Sequence, residues 1–180
     1  METWKTGYLR QAQSDMKMYD VLMGMNRSGC PICHPFHYLQ MATEKLAKAF
    51  LIDPKRQADP KFSSHKVFTK FLQALRGYRV PEYDVISQKM RMDKRQFVSH
   101  IDSLLGSAKV IEDLIPTREP QTKETKKENP EYPWKPVGGA VEVPAEYKRW
   151  LLNPASSEVR QLLWLVRVCM NVAAQQHMRD

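Results

Sequence analysis

The stretch FHYLQMATEKLAKAFLI (residues 36–52) sets the fold. Phe36, Leu39, Ala42, Leu46, Ala49 and Phe50 recur at spacings of three and four, which predicts a helix with a wide apolar face. Glu44 and Lys48 stand four apart in the favourable order for a pair on a helix surface. A face that wide must be covered by other helices, so the question passes to the flanking sequence.

Upstream, Tyr8, Leu9, Ala12, Met16, Tyr19 and Met23 form a second helical stripe, closed by Asn26-Arg27-Ser28-Gly29. CPICHP (residues 30–35) connects the two, and Pro35 suits the first turn of the second helix. Downstream of the polar loop DPKRQADPKF, Ser64 is the expected cap of a third helix. That helix runs to Gly77 and is buried along Val67, Phe68, Phe71, Leu72 and Leu75. A fourth, longer helix is predicted from Glu82 to Leu114, with Phe97, Ile101, Leu104, Leu105, Ala108 and Ile111 on one side. Residues 116–144, rich in proline and lysine and without a period, read as one long extended surface loop. Tyr132, Trp134 and Val141 are its docking points. A short helix over Glu146–Leu152 follows, then a last helix from Ser156 carrying Val159, Leu162, Leu163, Val166, Cys169 and Val172. Ser156 or Ser157 is its cap. The expectation is an all-α bundle of four to five main helices, one domain over residues 1–180.

Composition fits that picture: 42% apolar and 27% charged residues in 180, with no apolar run near the ~18 residues of a membrane span. The polar N-terminus predicts a cytoplasmic protein with reduced cysteines and no membrane partner. The net charge of +8 permits a polyanionic partner, and Lys61–Lys109 concentrates it, with ten Lys/Arg against four Asp/Glu. CPICHPFH (residues 30–37) contains the Cys-x-x-Cys-His of c-type haem attachment and three ligands' worth of a zinc site. A structural zinc needs four ligands, and no second Cys-x-x-Cys exists; distant His65 or a second subunit would have to complete the set. Cys169 belongs to an apolar stripe. The segment therefore reads as a tight turn between helices, with no metal and no cofactor expected.

HYLQMATEKLAKAFL resembles the signature helix of HEPN domains (higher eukaryotes and prokaryotes nucleotide-binding), with the pattern Q-x-x-x-E-K-x-x-K-A-x-L at Gln40, Glu44, Lys45, Lys48, Ala49 and Leu51. SHKVFTKFLQAL, opening on His65, is similar to the family's next helix, and IDSLLGSAKVIEDLIP with NPEYPW resembles its later helix and loop. The resemblance implies an α-helical bundle, commonly a homodimer, acting in an RNA- or nucleotide-directed module of defence or toxin–antitoxin type. Some members are metal-independent endoribonucleases with Arg-x4-6-His, and Arg95-Gln-Phe-Val-Ser-His100 fits that spacing. By resemblance His100 assists attack of a ribose 2′-hydroxyl on the adjacent phosphate, and Arg95 stabilises the developing charge, with two subunits facing each other. Lys89, Arg91 and Lys94 are the expected RNA-binding cations. The chain departs from family members with tyrosine two places after the histidine, having Asp102 there, and Gln96 follows the arginine.

Read from the residues alone, Arg95 is a solvated arginine and His100 a histidine at the edge of the core. On a regular helix the two diverge by about 140°. Glu44, Lys45 and Lys48 likewise read as a charged outer face, the alternative being a buried role at a dimer seam. Lys123, Lys126 and Lys127 form a solvated run. The competing functional reading is a non-catalytic helical subunit that partners a nucleotidyltransferase or antitoxin.

Overall fold

The FHYLQMATEKLAKAFLI helix begins three residues earlier than its apolar stripe. In the computed structural model, which describes residues 4–25, 29–52, 67–114, 130 and 142–177, it spans Cys33–Leu51 (α2). Its stripe is buried throughout. Helix α1 (Trp4–Met25) covers it along most of its length. The two are antiparallel: Lys48, near the end of α2, places its ammonium 5.8 Å from the ring centre of Tyr8, near the start of α1. Gly29, at φ +91°, takes the left-handed conformation in the connection, where a side chain would be strained.

The remaining helices are α3 (Phe68–Arg76), α4 (Tyr83–Lys89), α5 (Lys94–Asp113) and α6 (Ser157–His177). All six contribute to one contiguous apolar core, and the described residues contain no further helix. The chain is thus all-α. No helix among the described residues is long and apolar enough to cross a membrane.

Helix α3 lies antiparallel against α5, tied at both ends. Glu112 of α5 accepts from the Thr69 backbone N–H (3.3 Å) and hydroxyl (2.8 Å), and Arg76 donates to Asp102 at 2.5 Å. Glu112 thus satisfies an N–H in the first turn of α3 from 43 residues away. Ser64, the expected cap, and His65 lie outside the described residues. Asp102, at the position where some members of the resembled family carry tyrosine, serves this tie. Lys5 of α1 reaches buried Glu82 at 3.0 Å, and Arg167 of α6 reaches Asp20 at 2.6 Å.

Two predicted helices are corrected. The long one over Glu82–Leu114 is two, broken at Met90–Asp93. Asp93 caps α5 with a full capping box: its carboxylate accepts from the Gln96 N–H (2.8 Å), and the Gln96 side chain accepts from the Asp93 N–H (3.0 Å). The Asp-x-x-Gln box starts a new helix, and Arg91 at φ +56° turns the chain before it. Over Glu146–Leu152 there is only one turn, with the N–H groups of Glu146 and Tyr147 bonded to the Val143 carbonyl. Trp150 anchors this segment edge-on against Phe36, centroids 5.5 Å apart. Ser156 caps α6 as expected, its hydroxyl accepting from the Val159 N–H at 3.2 Å. Of the long loop at 116–144, the docking residues Tyr132, Trp134 and Val141 and the lysine run all lie outside the described residues.

Candidate functional site

Helices α3 and α4 end in the same device. After α3, the Arg79 N–H bonds the Ala74 carbonyl (2.9 Å) and the Tyr78 N–H bonds the Leu75 carbonyl (3.1 Å). After α4, the Met92 N–H bonds the Ser87 carbonyl (3.1 Å) and the Arg91 N–H bonds the Gln88 carbonyl (3.0 Å). Both are Schellman motifs, whose left-handed residue is usually glycine. Here those positions hold Tyr78 at φ +58° and Arg91 at φ +56°, each a conformation costing roughly 1 kcal/mol for a non-glycine residue.

Between these turns, on one side of α4, opens a groove of about 390 Å³. Val80 and Pro81 form its apolar part; Tyr78, Tyr83, Asp84, Ser87 and Lys94 supply the rest of the lining. The left-handed turn leaves the Tyr78 ring on the surface, 40% exposed, with the Lys94 ammonium 3.9 Å from its centroid. Tyr83 meets Tyr78 edge-on at 4.6 Å and Phe97 of the core at 5.2 Å, which fixes its ring. The Tyr83 hydroxyl is buried and has no hydrogen-bond partner among the described residues. Burial pushes its pKa up; the nearby Ser87 hydroxyl opposes the rise without reaching hydrogen-bond geometry, being turned to the Asp84 carbonyl at 3.0 Å.

The residues expected to bind RNA all fall at this corner. Lys89 is in the last turn of α4, Arg91 is the left-handed residue after it, and Lys94 opens α5 over the groove. All three are exposed, as is Arg95 beside them. The expected catalytic pair is not brought together within the chain. Arg95 faces solvent, whereas His100 turns toward α6, its ring tilted on Trp164 with centroids 6.4 Å apart. The His100 Nε2 is buried without a partner among the described residues, and burial lowers its pKa below the ordinary histidine value, which favours the neutral ring.

Glu44, Lys45 and Lys48 do not form a solvated face. Glu44 and Lys48 are buried between α1 and the rest of the bundle, 2% and 7% exposed, because the apolar stripe of α2 is wide enough to carry them inward with it. Glu44 accepts from Lys48 (2.6 Å) and, through its other oxygen, from Gln40 (3.0 Å); Lys45 is 3.8 Å away. Across from them on α1, buried Asp15 accepts from Gln11 at 2.8 Å, and burial raises its pKa against the opposing pull of Gln11, Lys45 and His37. The groove at the α4 turns does not reach this cluster.

At CPICHPFH, Cys33 is buried and its thiol pKa is pushed up by that burial, while Cys30 is partly exposed, its thiol 3.8 Å from the Pro31 carbonyl. Among the described residues no three His, Cys, Asp or Glu side chains gather in a way that holds a metal. Cys169 is fully buried in the core.

Sequence reasoning does not single out Tyr78, Tyr83, Asp84 or Ser87. The signal available is aromatic residues interleaved with cations, Tyr78-Arg79 and Tyr83 ahead of Lys89, Arg91 and Lys94, a pattern typical of surfaces that bind unpaired nucleic acid. No family profile, curated protein or solved structure matches the chain.

Proposed function

We propose that the chain is a HEPN-like protein of an RNA-directed module and that it engages single-stranded RNA at the α4–α5 corner. The supporting observation is the Lys94 ammonium stacked at 3.9 Å on the exposed Tyr78 ring, with Lys89, Arg91 and Arg95 exposed alongside. Cations track the phosphate backbone and an aromatic face takes a base, the two components of sequence-tolerant single-strand binding. Cleavage is a separate claim. With Arg95 in solvent and the His100 Nε2 buried, the ribonuclease chemistry requires a homodimer in which one copy's Arg95 meets the other's His100, and Nε2 must become accessible.

Binding is tested by titrating labelled single-stranded RNA against salt for wild type and for Lys89→Ala/Arg91→Ala/Lys94→Ala. Every phosphate that a removed cation no longer neutralises lowers the slope of log K on log salt by about 0.7. A slope reduced by about two units supports the reading, and an unchanged slope overturns it. Cleavage is assayed on the same RNA in EDTA, with His100→Ala and Arg95→Ala; loss of 2′,3′-cyclic phosphate products in both assigns the pair.

A second reading, an interaction subunit for a nucleotidyltransferase or antitoxin, is favoured by one observation. Met18, Val21 and Met25 expose an apolar line along the outer face of α1. Co-purification of a stable complex without RNA binding would put this reading first.

A further inference from the structure

We infer that the groove between the two Schellman turns is a mononucleotide pocket, which receives one unstacked base of the bound RNA and prefers guanine. The inference rests on the single-strand reading above and deepens it. Its volume of about 390 Å³ falls within the usual range of small-ligand pockets, roughly 300–1,000 Å³.

The chemistry of the lining selects the ligand. Lys94, seated over one face of the Tyr78 ring at 3.9 Å, offers a cation to a phosphate, and the 40% exposed ring offers the rest of its π-surface to a base. The Tyr83 hydroxyl is a donor that the fold buries and leaves without an acceptor among the described residues, although a buried donor is normally satisfied. The Asp84 carboxylate on the same wall is exposed and supplies acceptors only. A flat, anionic molecule whose edge carries both donors and an acceptor answers all four groups. Guanine presents two adjacent N–H donors to a carboxylate and a carbonyl oxygen to a hydroxyl. Uracil, with one ring N–H, meets the carboxylate less well.

The backbone carries an independent argument. Tyrosine is held at φ +58° in a position where glycine would relieve the strain. The ring is therefore retained against the local conformational preference, and the rings and charges it packs against, Tyr83 and Lys94, both line the groove.

The test uses the full chain, with fluorescence anisotropy on a labelled uridine decamer, the same decamer with one central guanosine, and a blunt duplex. Free GMP and UMP serve as competitors. The expected order is guanosine decamer, then uridine decamer, then duplex. Tyr78→Leu and Tyr78→Gly each weaken decamer binding by about tenfold or more. Tyr78→Gly does so with an unchanged or raised melting temperature, so misfolding cannot account for the loss. Tyr83→Phe removes only the hydroxyl and abolishes the preference for guanosine, leaving the uridine decamer unaffected. If the variants bind every RNA as wild type does, the pocket is refuted and the single-strand reading survives on its cations alone. If wild type binds GMP but no RNA, the pocket stands as a free-nucleotide site and the RNA reading falls. If neither RNA nor GMP binds, both fall.

Discussion

Removing Glu44 should be among the most damaging single changes in the molecule, although sequence reading places this residue on a charged outer face. Glu44 and Lys48 are 2% and 7% exposed, and 2.6 Å separates the carboxylate from the ammonium. An exposed pair at this spacing contributes only about 0.2–1 kcal/mol. A buried pair behaves differently: taking away one partner strands the other charge in low dielectric, at a cost of about 3–5 kcal/mol. Glu44→Ala also deprives the buried Gln40 amide of its acceptor, adding about 1 kcal/mol. For a chain of this length each kcal/mol moves Tm by about 2–4 °C, so a loss of about 4–6 kcal/mol should make Glu44→Ala melt roughly 8–24 °C below wild type. The double variant Glu44→Leu/Lys48→Met keeps the volume and removes both charges, and should recover most of the loss. Calorimetry and urea titration of wild type, both single variants and the double close the cycle. Single variants costing less than about 1 kcal/mol, or adding to give the double, would refute the claim that the pair is buried and coupled.

Glu112→Ala should cost about 1–2 kcal/mol in urea denaturation and speed hydrogen exchange at the start of α3, because the Thr69 N–H and hydroxyl lose their acceptor; unchanged exchange there would refute the cap. Arg91→Gly should stabilise by about 1 kcal/mol by relaxing φ +56° while weakening RNA binding, a split that a plain surface role for Arg91 would not give. His100, its pKa lowered by burial, takes a proton less readily folded than unfolded. Its contribution is therefore whole above the unfolded value of 6.5 and declines as pH falls below it; Tm measured from pH 8 to 5 should fall less in His100→Gln than in wild type. Asp15 has the opposite sign: its raised pKa means the folded state gains the proton first, so its contribution rises as pH falls toward 3.8, and Asp15→Asn should remove that gain.

The helices with long, unbroken apolar stripes are legible in the sequence because burial alone decides them. The faces read from Leu9, Phe36, Phe71, Ile101 and Leu163 are the faces that meet in the core. Ser156 is legible as a cap because its partner, Val159, is three residues away. The cap on Thr69 is not, since Glu112 reaches it from 43 residues on and no local pattern reports that bond. Glu44 and Lys48 mislead for a related reason. Charge argues for solvent, but two charged residues four apart can satisfy each other, and the cost of burying them is then offset by an interaction the hydropathy pattern does not encode.

The break at Met90–Asp93 is the more instructive failure, because the site depends on it. Sequence signals for a helix end are glycine at the left-handed position and proline beyond, and neither is present after Lys89. Arg91 occupies that position instead, so the turn after α4 is invisible to rules built on glycine, whereas the end of α3 is marked by Gly77, one place before the left-handed Tyr78. The capping box at Asp93 and Gln96 is the one local mark of a new helix start. Had the chain continued as a single helix, Lys94 would project along one rod with Lys89 and Arg91, and no concave surface would separate α4 from α5. With two left-handed turns the short α4 is set between Tyr78 and Lys94, and their cation–π stacking closes one end of the groove. Of the two left-handed residues, Tyr78 lines the groove and Arg91 does not. Strain of roughly 1 kcal/mol at each of Tyr78 and Arg91 is easily carried by a core drawn from six helices, and it places an aromatic ring and a guanidinium where glycine would place nothing.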